Sequence, residues 1–298
     1  MLHIVIPAYN EQVRLPRTLR ALRRYVAAHR ATLGRVEVTI VDNASDDATS
    51  DVAAAWDSPG MPVRVVGCPV RGKGAAVRTG LLAVTDAGIA AEDLVCFMDA
   101  DGATDLEALE AAWSRVQRGA DVVIGSRGLS ESDAETRHDR ARTTGAALYR
   151  HLARRLVPGI SDTQCGFKLF RAGVVRAAAE QLATRGFSFD VELLVRLSRA
   201  GACIVEIPVR WADVPGSTFV PLRHGARSFL DLAAIAWRTR ATEASVVLIP
   251  GRVASRPSRQ RSPMPLLPSV ALPAALPALA AVMAPLASPA PAIAQDES

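Results

Sequence analysis

No uninterrupted apolar stretch of bilayer length occurs in this chain of 298 residues. The tail from Pro263 to Ala294 is apolar overall, but Pro265, Pro268, Pro273, Pro277 and Pro285 divide it. Its longest proline-free piece between those positions is ALAAVMA, residues 278–284. An interior proline costs a helix about 3 kcal/mol, and a span needs about 20 apolar residues. The tail therefore reads as disordered or loosely membrane-associated, not as a transmembrane helix. Cysteine is scarce, and Cys68, Cys96, Cys165 and Cys203 form no CxxC pair. That argues against a disulfide scaffold or a zinc ribbon and fits buried, reduced thiols in a cytosolic protein. The five histidines lack metal-ligand spacing. HIVIPAY begins at His3, so no signal peptide is expected before the first strand. Two glycine-rich nucleotide signatures are also missing. RGKGAAVRT, residues 71–79, is not GxxxxGK[ST], and IPAYNE, residues 6–11, is not GxGxxG.

Charge is present but localised. The net charge of +5 comes from 35 basic and 30 acidic side chains, too modest an excess to call for a nucleic-acid partner. Arg137, Arg140, Arg142, Arg150, Arg154 and Arg155 crowd residues 137–155, and 251–262 holds four arginines and no acid. Such runs are solvated faces, or contacts to phosphates and anionic membrane surfaces.

Apolar runs and helical spacings alternate through the first half. LHIVIPA, VEVTIVD, VRVVGC, LVCFMD and DVVIGSR read as strands, with LVCFMD central because it is wholly apolar. Leu15, Leu19, Leu22 and Val26 mark a helix between the first two. SDDATSDVAAAW opens another with Ser45 as its N-cap; GKGAAVRTGLLAV and DLEALEAAWSRVQRG give two more. Such alternation predicts an α/β fold with a mostly parallel, doubly wound sheet and helices on both faces. Farther on, a polar loop leads to a basic helix near 140–155. ISDTQCGFKLFRAG reads as a loop with a short strand, GFSFDVELLVRLSRAG as a helix, ACIVEIPVRW as a strand, and 225–240 as an amphipathic helix. Residues 1–240 are read as the folded domain, and 241–298 as a basic linker with a Pro/Ala-rich tail.

Ligands of open α/β sheets bind beyond the carboxyl ends of the strands. Pro7–Glu11, Asp42–Asn43, Gly72–Gly74, Asp99–Asp101 and Gly125–Arg127 all fall at such ends. Asp99 and Asp101, one residue apart after a buried strand, suit Mg2+ or Mn2+, hard cations that share carboxylates with substrate phosphates. Asp105 reads as a helix N-terminal charge.

IVIPAYNE, VDNASDD, GKGAAVRTG, FMDADGATD and VVIGSR occur in an order that resembles family 2 glycosyltransferases of the GT-A fold. SDTQCGFKLFR, GFSFDVELL and VEIPVRWADVPGS narrow the resemblance to the dolichyl-phosphate β-glucosyltransferase branch. The resemblance covers about residues 2–240. It implies a nucleotide-sugar-binding half, 1–128, and an acceptor half, 129–240. It implies a nucleotide-sugar donor, UDP-glucose first, held by Pro7, Ala8, Tyr9, Glu11, Asp42, Asn43, Lys73 and Asp99. Asn43 stands where the family commonly has aspartate, so its amide oxygen would accept from the base without charge assistance. Asp101, with Asp99, would hold the metal. Arg127, Arg140, Arg142 and Lys168 would hold the acceptor phosphate of a polyprenyl lipid, with Asp162, Asp190 and Glu192 as acceptor-side carboxylates and Asp190 the first candidate base. Trp211, Gly216 and Ser217 match a closing loop, in which Thr218 replaces the usual lysine. The implied reaction is inverting transfer at the inner face of the cytoplasmic membrane, by a peripheral enzyme. A soluble hydroxyl acceptor and a non-catalytic nucleotide- or membrane-binding module are the alternatives.

Overall fold

The computed structural model describes the backbone of residues 1–135, 140–212, 214 and 221–240, and their side chains except at 134–135, 140–144, 146 and 221–226. In chain order the elements are β1 (Leu2–Ala8), α1 (Leu15–Ala28), α2 (Arg30–Leu33), β2 (Val36–Asp42), α3 (Thr49–Ala54), β3 (Val63–Gly67), α4 (Lys73–Thr85), β4 (Leu94–Met98) and α5 (Glu107–Gln117). Then come β5 (Val122–Ser126), β6 (Asp133–Glu135), α6 (Arg140–Leu156), β7 (Phe167–Arg171), α7 (Ala172–Glu180), α8 (Phe189–Arg199), β8 (Ile204–Pro208), β9 (Arg210–Ala212) and α9 (Pro221–Arg240).

The sheet has seven strands in the order β3-β2-β1-β4-β7-β5-β8. All pairings are parallel except those of β7, which runs antiparallel between β4 and β5. As its apolar sequence predicts, β4 occupies the middle, and all five of its residues are buried. Alternation along the strands splits the core in two. Ile4, Ile6, Cys96 and Phe167 pack with Leu19 and Leu22 of α1 and Leu109 of α5. Val5, Val95, Phe97 and Phe170 pack on the other face with Val77 of α4, Val175 of α7 and Leu193 of α8. Leu15, Leu19, Leu22 and Val26 are all buried, as their spacing requires.

Two local expectations change, and one helix is new. Ser45 is not an N-cap: α3 starts at Thr49, and Ser45 N donates to Asp42 Oδ1 at 3.1 Å within a loop. The run ACIVEIPVRW is two strands, since β8 ends at Pro208, a residue with no N–H for the ladder. β9 then pairs in parallel with β6, outside the main sheet. The helix α7 had no reading from sequence; it places Ala172, Val175, Ala178 and Ala179 in the core.

Candidate active site

β4 delivers its polar end into the centre of the rim. Asp99 N donates to Gly166 O at 3.0 Å, and a Cβ on Gly166 would meet Asp99 Oδ2 at 2.0 Å. Only glycine before β7 leaves room for this carboxylate. Asp99 Oδ1 lies 2.7 Å from Lys73 Nζ, yet accepts no hydrogen bond of good geometry. Two residues on, Asp101 Oδ1 accepts from Ala103 N at 3.0 Å, while Oδ2 faces no donor among the described residues. Burial first, and Asp99 second, push the Asp101 carboxyl above its ordinary value. Glu11 is also raised, by burial against the opposing pull of Arg14, with Asp101 and Asp99 adding repulsion.

Three carboxylates, Glu11, Asp99 and Asp101, thus share the rim with two cations, Arg14 and Lys73, which leaves one negative charge over. These are hard oxygen donors, and they fit Mg2+ or Mn2+. No group of three or more His, Cys, Asp and Glu side chains among the described residues encloses a metal site. The chain would therefore supply a minority of the ligands, as Mg2+ tolerates when phosphate and water fill the rest.

Lys73 is held by its neighbours. Gly72 has φ +133, and a Cβ there would meet Arg185 O at 2.2 Å. At Gly74 a Cβ would meet Thr184 O at 2.3 Å and Phe189 Cβ at 2.5 Å. Gly74 N donates to Arg185 O at 2.9 Å, so the turn is clamped under residues 184–186. Burial works against the Lys73 ammonium, but Asp99 and Asp190 outweigh it and hold its pKa above the ordinary lysine value. Gly74→Ala is expected to push the two segments apart, displace Lys73 and raise KM for the donor at least about tenfold, with a lower thermal midpoint. Steady-state kinetics and a melting curve check this.

The nucleotide-side residues lie together on the rim. Pro7 and Ala8 end β1, in register with Val41 and Asp42. Tyr9 is half-buried, with Arg71 at 5.5 Å from its ring centroid and Arg71 Nη1 donating to Tyr9 Oη at 3.4 Å. Asp42 accepts from Ser45 N and from Ser50 Oγ, at 3.1 and 2.7 Å. Asn43 is 5% exposed. Its Nδ2 donates to Val70 O and Cys68 O, at 2.7 and 3.3 Å, and its Oδ1 accepts from Gly72 N at 2.8 Å. The amide shapes the 68–72 loop, and one lone pair in a buried side chain is all that remains for a base.

The acceptor-side readings need correction. Lys168 is 0% exposed; its Nζ donates to Asp190 Oδ1 at 2.5 Å and to Cys165 O at 2.7 Å. It lies beneath the rim because β7 threads between β4 and β5 and aims this side chain, with Phe170, at the layer of α8. Lys168 is therefore not open to an acceptor phosphate, and Asp190 is not a free base. Burial raises the Asp190 carboxyl, against Lys168 and Lys73. Lys168 and Lys73 both stand over the Phe97 ring, at 5.5 and 5.6 Å. Glu192 is a structural tie: it accepts from Thr184 N at 2.8 Å and pairs with Arg196 and Arg238 at 2.6 and 3.2 Å.

Arg127 keeps its place at the end of β5, but Asp162 takes up its fork. Nε donates to Oδ2 at 2.7 Å, Nη2 to Oδ1 at 3.0 Å, and the backbone N to Oδ2 at 3.0 Å. A second bidentate grip on phosphate is thereby closed, and Nη1 is left. The guanidinium lies 5.4 Å from the Trp211 ring centroid. Glu206 supports the pair by accepting from Ser161 N, Ser161 Oγ and Asp162 N, at 2.9, 2.7 and 2.9 Å. Burial alone would raise the Asp162 carboxyl; Arg127 outweighs it and holds the group below the ordinary carboxylate range. A depressed folded pKa stabilises above the unfolded value, about 3.9, and that stability is lost as pH falls through the folded value. The urea midpoints of wild type and Asp162→Asn should thus differ at neutral pH, begin to approach one another as pH falls below about 3.9, and meet only below the lower, folded value.

Trp211 is half-buried, and its strand is fastened to the acidic loop: Ala212 N donates to Ala103 O and Asp105 N to Arg210 O, both at 3.0 Å. Asp105 Oδ1 accepts from Glu107 N at 3.1 Å, at the start of α5. Gly216, Ser217 and Thr218 lie outside the described residues, as does the tail; Arg140 and Arg142 open α6, and their side chains are not among those described. Sequence reasoning passed over Arg71, Gly166 and Glu206. Gly166 and Glu206 sit inside the quoted motifs TQCGFKLF and VEIPV, but nothing local marks what they touch. A cleft of about 830 Å³ between α1 and α5 is lined by Thr18, Tyr25, Gly102 and Glu107. Lys73 and Asp101 do not line it, but Met98 and Gly102, on either side of the acidic pair, do.

Residues 3–178 match the model of Glycosyl transferase family 2. The chain is 34% identical over 256 residues to the dolichyl-phosphate beta-glucosyltransferase of Drosophila melanogaster, covering 80% of this chain and 77% of that protein. Against the Homo sapiens protein of the same name it is 33% identical over 260 residues, 81% and 78% of the two chains. Among solved structures, glucosyl-3-phosphoglycerate synthase from Mycobacterium tuberculosis with Mn2+, UDP-glucose and phosphoglyceric acid superposes with a TM-score of 0.54 at 18% identity. The match covers 81% of this chain and 80% of that one. At that identity the likeness speaks for the fold alone.

Proposed function

Because the chain belongs to glycosyl transferase family 2, and so is a glycosyltransferase, we propose that it moves glucose from UDP-glucose to a polyprenyl phosphate, inverting the anomeric centre. One observation carries the choice of acceptor. Asp162, Asp190 and Glu192, the carboxylates on the acceptor side, are each locked in an ion pair with Arg127, Lys168 and Arg196 respectively. A hydroxyl acceptor needs a general base. A lipid phosphate, already an anion at neutral pH, needs only cationic company.

Each residue then has a task. Asp101, with Asp99 beside it, would hold Mg2+ or Mn2+, which would supply positive charge to the leaving diphosphate. Lys73, on a fixed backbone and paired with Asp99, is placed to exchange that carboxylate for a donor phosphate. Freed of Lys73, Asp99 becomes an acceptor for donor hydroxyls. Tyr9 and Arg71 offer a stacking surface for the base, and Pro7, Ala8, Glu11, Asp42 and Asn43 shape its pocket. Arg127, braced by Asp162 and Trp211, presents Nη1 toward the acceptor. Arg140 and Arg142, at the start of α6, are further candidates for the acceptor phosphate, and Gly216–Ser217 for a loop that closes over it.

A long-chain lipid brings the enzyme to a membrane, and the cytoplasmic face is the side where nucleotide-sugar is made available. Among the described residues no helix is long and apolar enough to cross a bilayer. Incubation with UDP-[14C]glucose, polyprenyl phosphate and Mn2+, followed by organic extraction, tests the assignment. Label in the organic phase is expected; label confined to water would contradict a lipid acceptor. GDP-mannose in parallel tests the donor.

A further inference from the structure

The outer side of α9 is built differently from the rest of the surface. Five large apolar side chains among the described residues are markedly exposed, and three of them, Leu148 (51%), Leu230 (63%) and Trp237 (76%), lie on α6 and α9. Along α9, Ser228, Leu232, Ile235 and Thr239 are buried, at steps of 4, 3 and 4. Arg227, Leu230, Ala233, Trp237 and Arg240 are exposed, at steps of 3, 3, 4 and 3. The exposed set is a single helical stripe, apolar in its middle and arginine at both ends. Leu230 and Trp237 stand roughly 10 Å apart along the axis.

No acid interrupts that stripe. Asp231, the one acidic residue of α9, is half-buried and lies beside Gly186, where its Oδ2 would be 3.3 Å from an added Cβ. Alongside, α6 touches α9 through Tyr149 and Phe229, whose ring centroids are 5.9 Å apart. Its sequence RARTTGAALYRHLARRL contains no acid. Arg150, Arg154 and Arg155, on the same helix as Leu148, are exposed.

We propose that this face is a membrane-docking surface, with Leu230, Ala233 and Trp237 entering the boundary between head groups and acyl chains, and Arg227 and Arg240 pairing with lipid phosphates. The chemistry that fits is an anionic bilayer. An exposed tryptophan costs least where one side of the ring is apolar and the other wet. An apolar stripe rimmed by arginine suits a negatively charged interface. A protein partner would need acids to match the arginines and an apolar pocket for Trp237; a bilayer supplies both along its whole plane. The inference rests on the lipid-acceptor reading only for its purpose, since docking itself needs no acceptor. It also places the anchor inside the folded domain rather than in residues 241–298.

The test uses the full chain and phosphatidylcholine vesicles with or without phosphatidylglycerol, free of polyprenyl phosphate. Wild type is expected to float with the anionic vesicles and to show a blue shift of tryptophan emission. Leu230→Ser with Trp237→Ser, both exposed and so compatible with the fold, should weaken partitioning at least about tenfold, while turnover of detergent-dispersed acceptor lipid stays unchanged. Trp237→Phe should float but lose the blue shift. Equal flotation of wild type and the double variant overturns the proposal. So does equal binding to neutral vesicles, or a wild-type dimer that the double variant abolishes in the absence of any vesicle binding. If detergent assays yield no lipid-linked sugar while the double variant still loses vesicle binding, the acceptor reading fails and the docking surface stands.

Discussion

Asp101→Asn is expected to lower turnover roughly 10²- to 10³-fold while leaving the thermal midpoint nearly unchanged, the scale on which a single group that stabilises developing charge contributes. Asparagine keeps an Oδ1 for Ala103 N, the one hydrogen bond of the Asp101 carboxylate to the described residues, so the loop need not move. What changes is charge. Glu11 and Asp99 are already paired with Arg14 and Lys73, so neutralising Asp101 removes the one carboxylate of the three that has no ion partner among the described residues and could attract a divalent ion. Rate and Mn2+ affinity should therefore fall together. Activity within a few-fold of wild type would mean that Asp101 does not hold the metal.

The second large effect concerns stability. Lys168→Met leaves Asp190 buried at 3% exposure without its ion partner, and Asp190→Asn strands a fully buried ammonium. Breaking one side of such a pair costs about 3–5 kcal/mol, which for a domain of this size lowers the thermal midpoint by about 10 °C. Lys168→Met combined with Asp190→Leu should recover much of the loss, because the pair itself gives little net stabilisation over apolar packing. Melting curves of the two single variants and the double variant decide this. The informative contrary result is an Asp190→Asn enzyme that melts like wild type but does not turn over. That would restore Asp190 as a base and weaken the case for an anionic acceptor.

The pair also shows where sequence reading stops. In FKLFR the alternation of Phe167, Lys168, Leu169 and Phe170 looks like a strand with one solvated face. Lys168 is buried because β7 inserts antiparallel between β4 and β5, and because α8 brings Asp190 to it from 22 residues away. No local period encodes either event. The Arg127–Asp162 fork, 35 residues apart in sequence, is hidden for the same reason. The resemblance alone assigned Asn43 to the base, and in the fold its amide bonds to the backbone of a loop 25 to 29 residues downstream. What was legible depends on neighbours in sequence: the apolar run of β4, the 4-3-4 spacing of α1, and the polar residues that follow each parallel strand. Parallel order then carries Lys73, Asp99 and Asp101 to one rim without further instruction. The helix α7 escaped because its buried face is mostly alanine, whose contrast with solvent-facing residues is weak.

Diffraction at the manganese edge from crystals grown with UDP and Mn2+ addresses the rim directly. The account predicts one anomalous peak at Asp101, with the diphosphate lying between that ion and Lys73 and the Lys73–Asp99 contact opened. A peak elsewhere, or a bound nucleotide from which Asp99 and Asp101 both turn away, would contradict it.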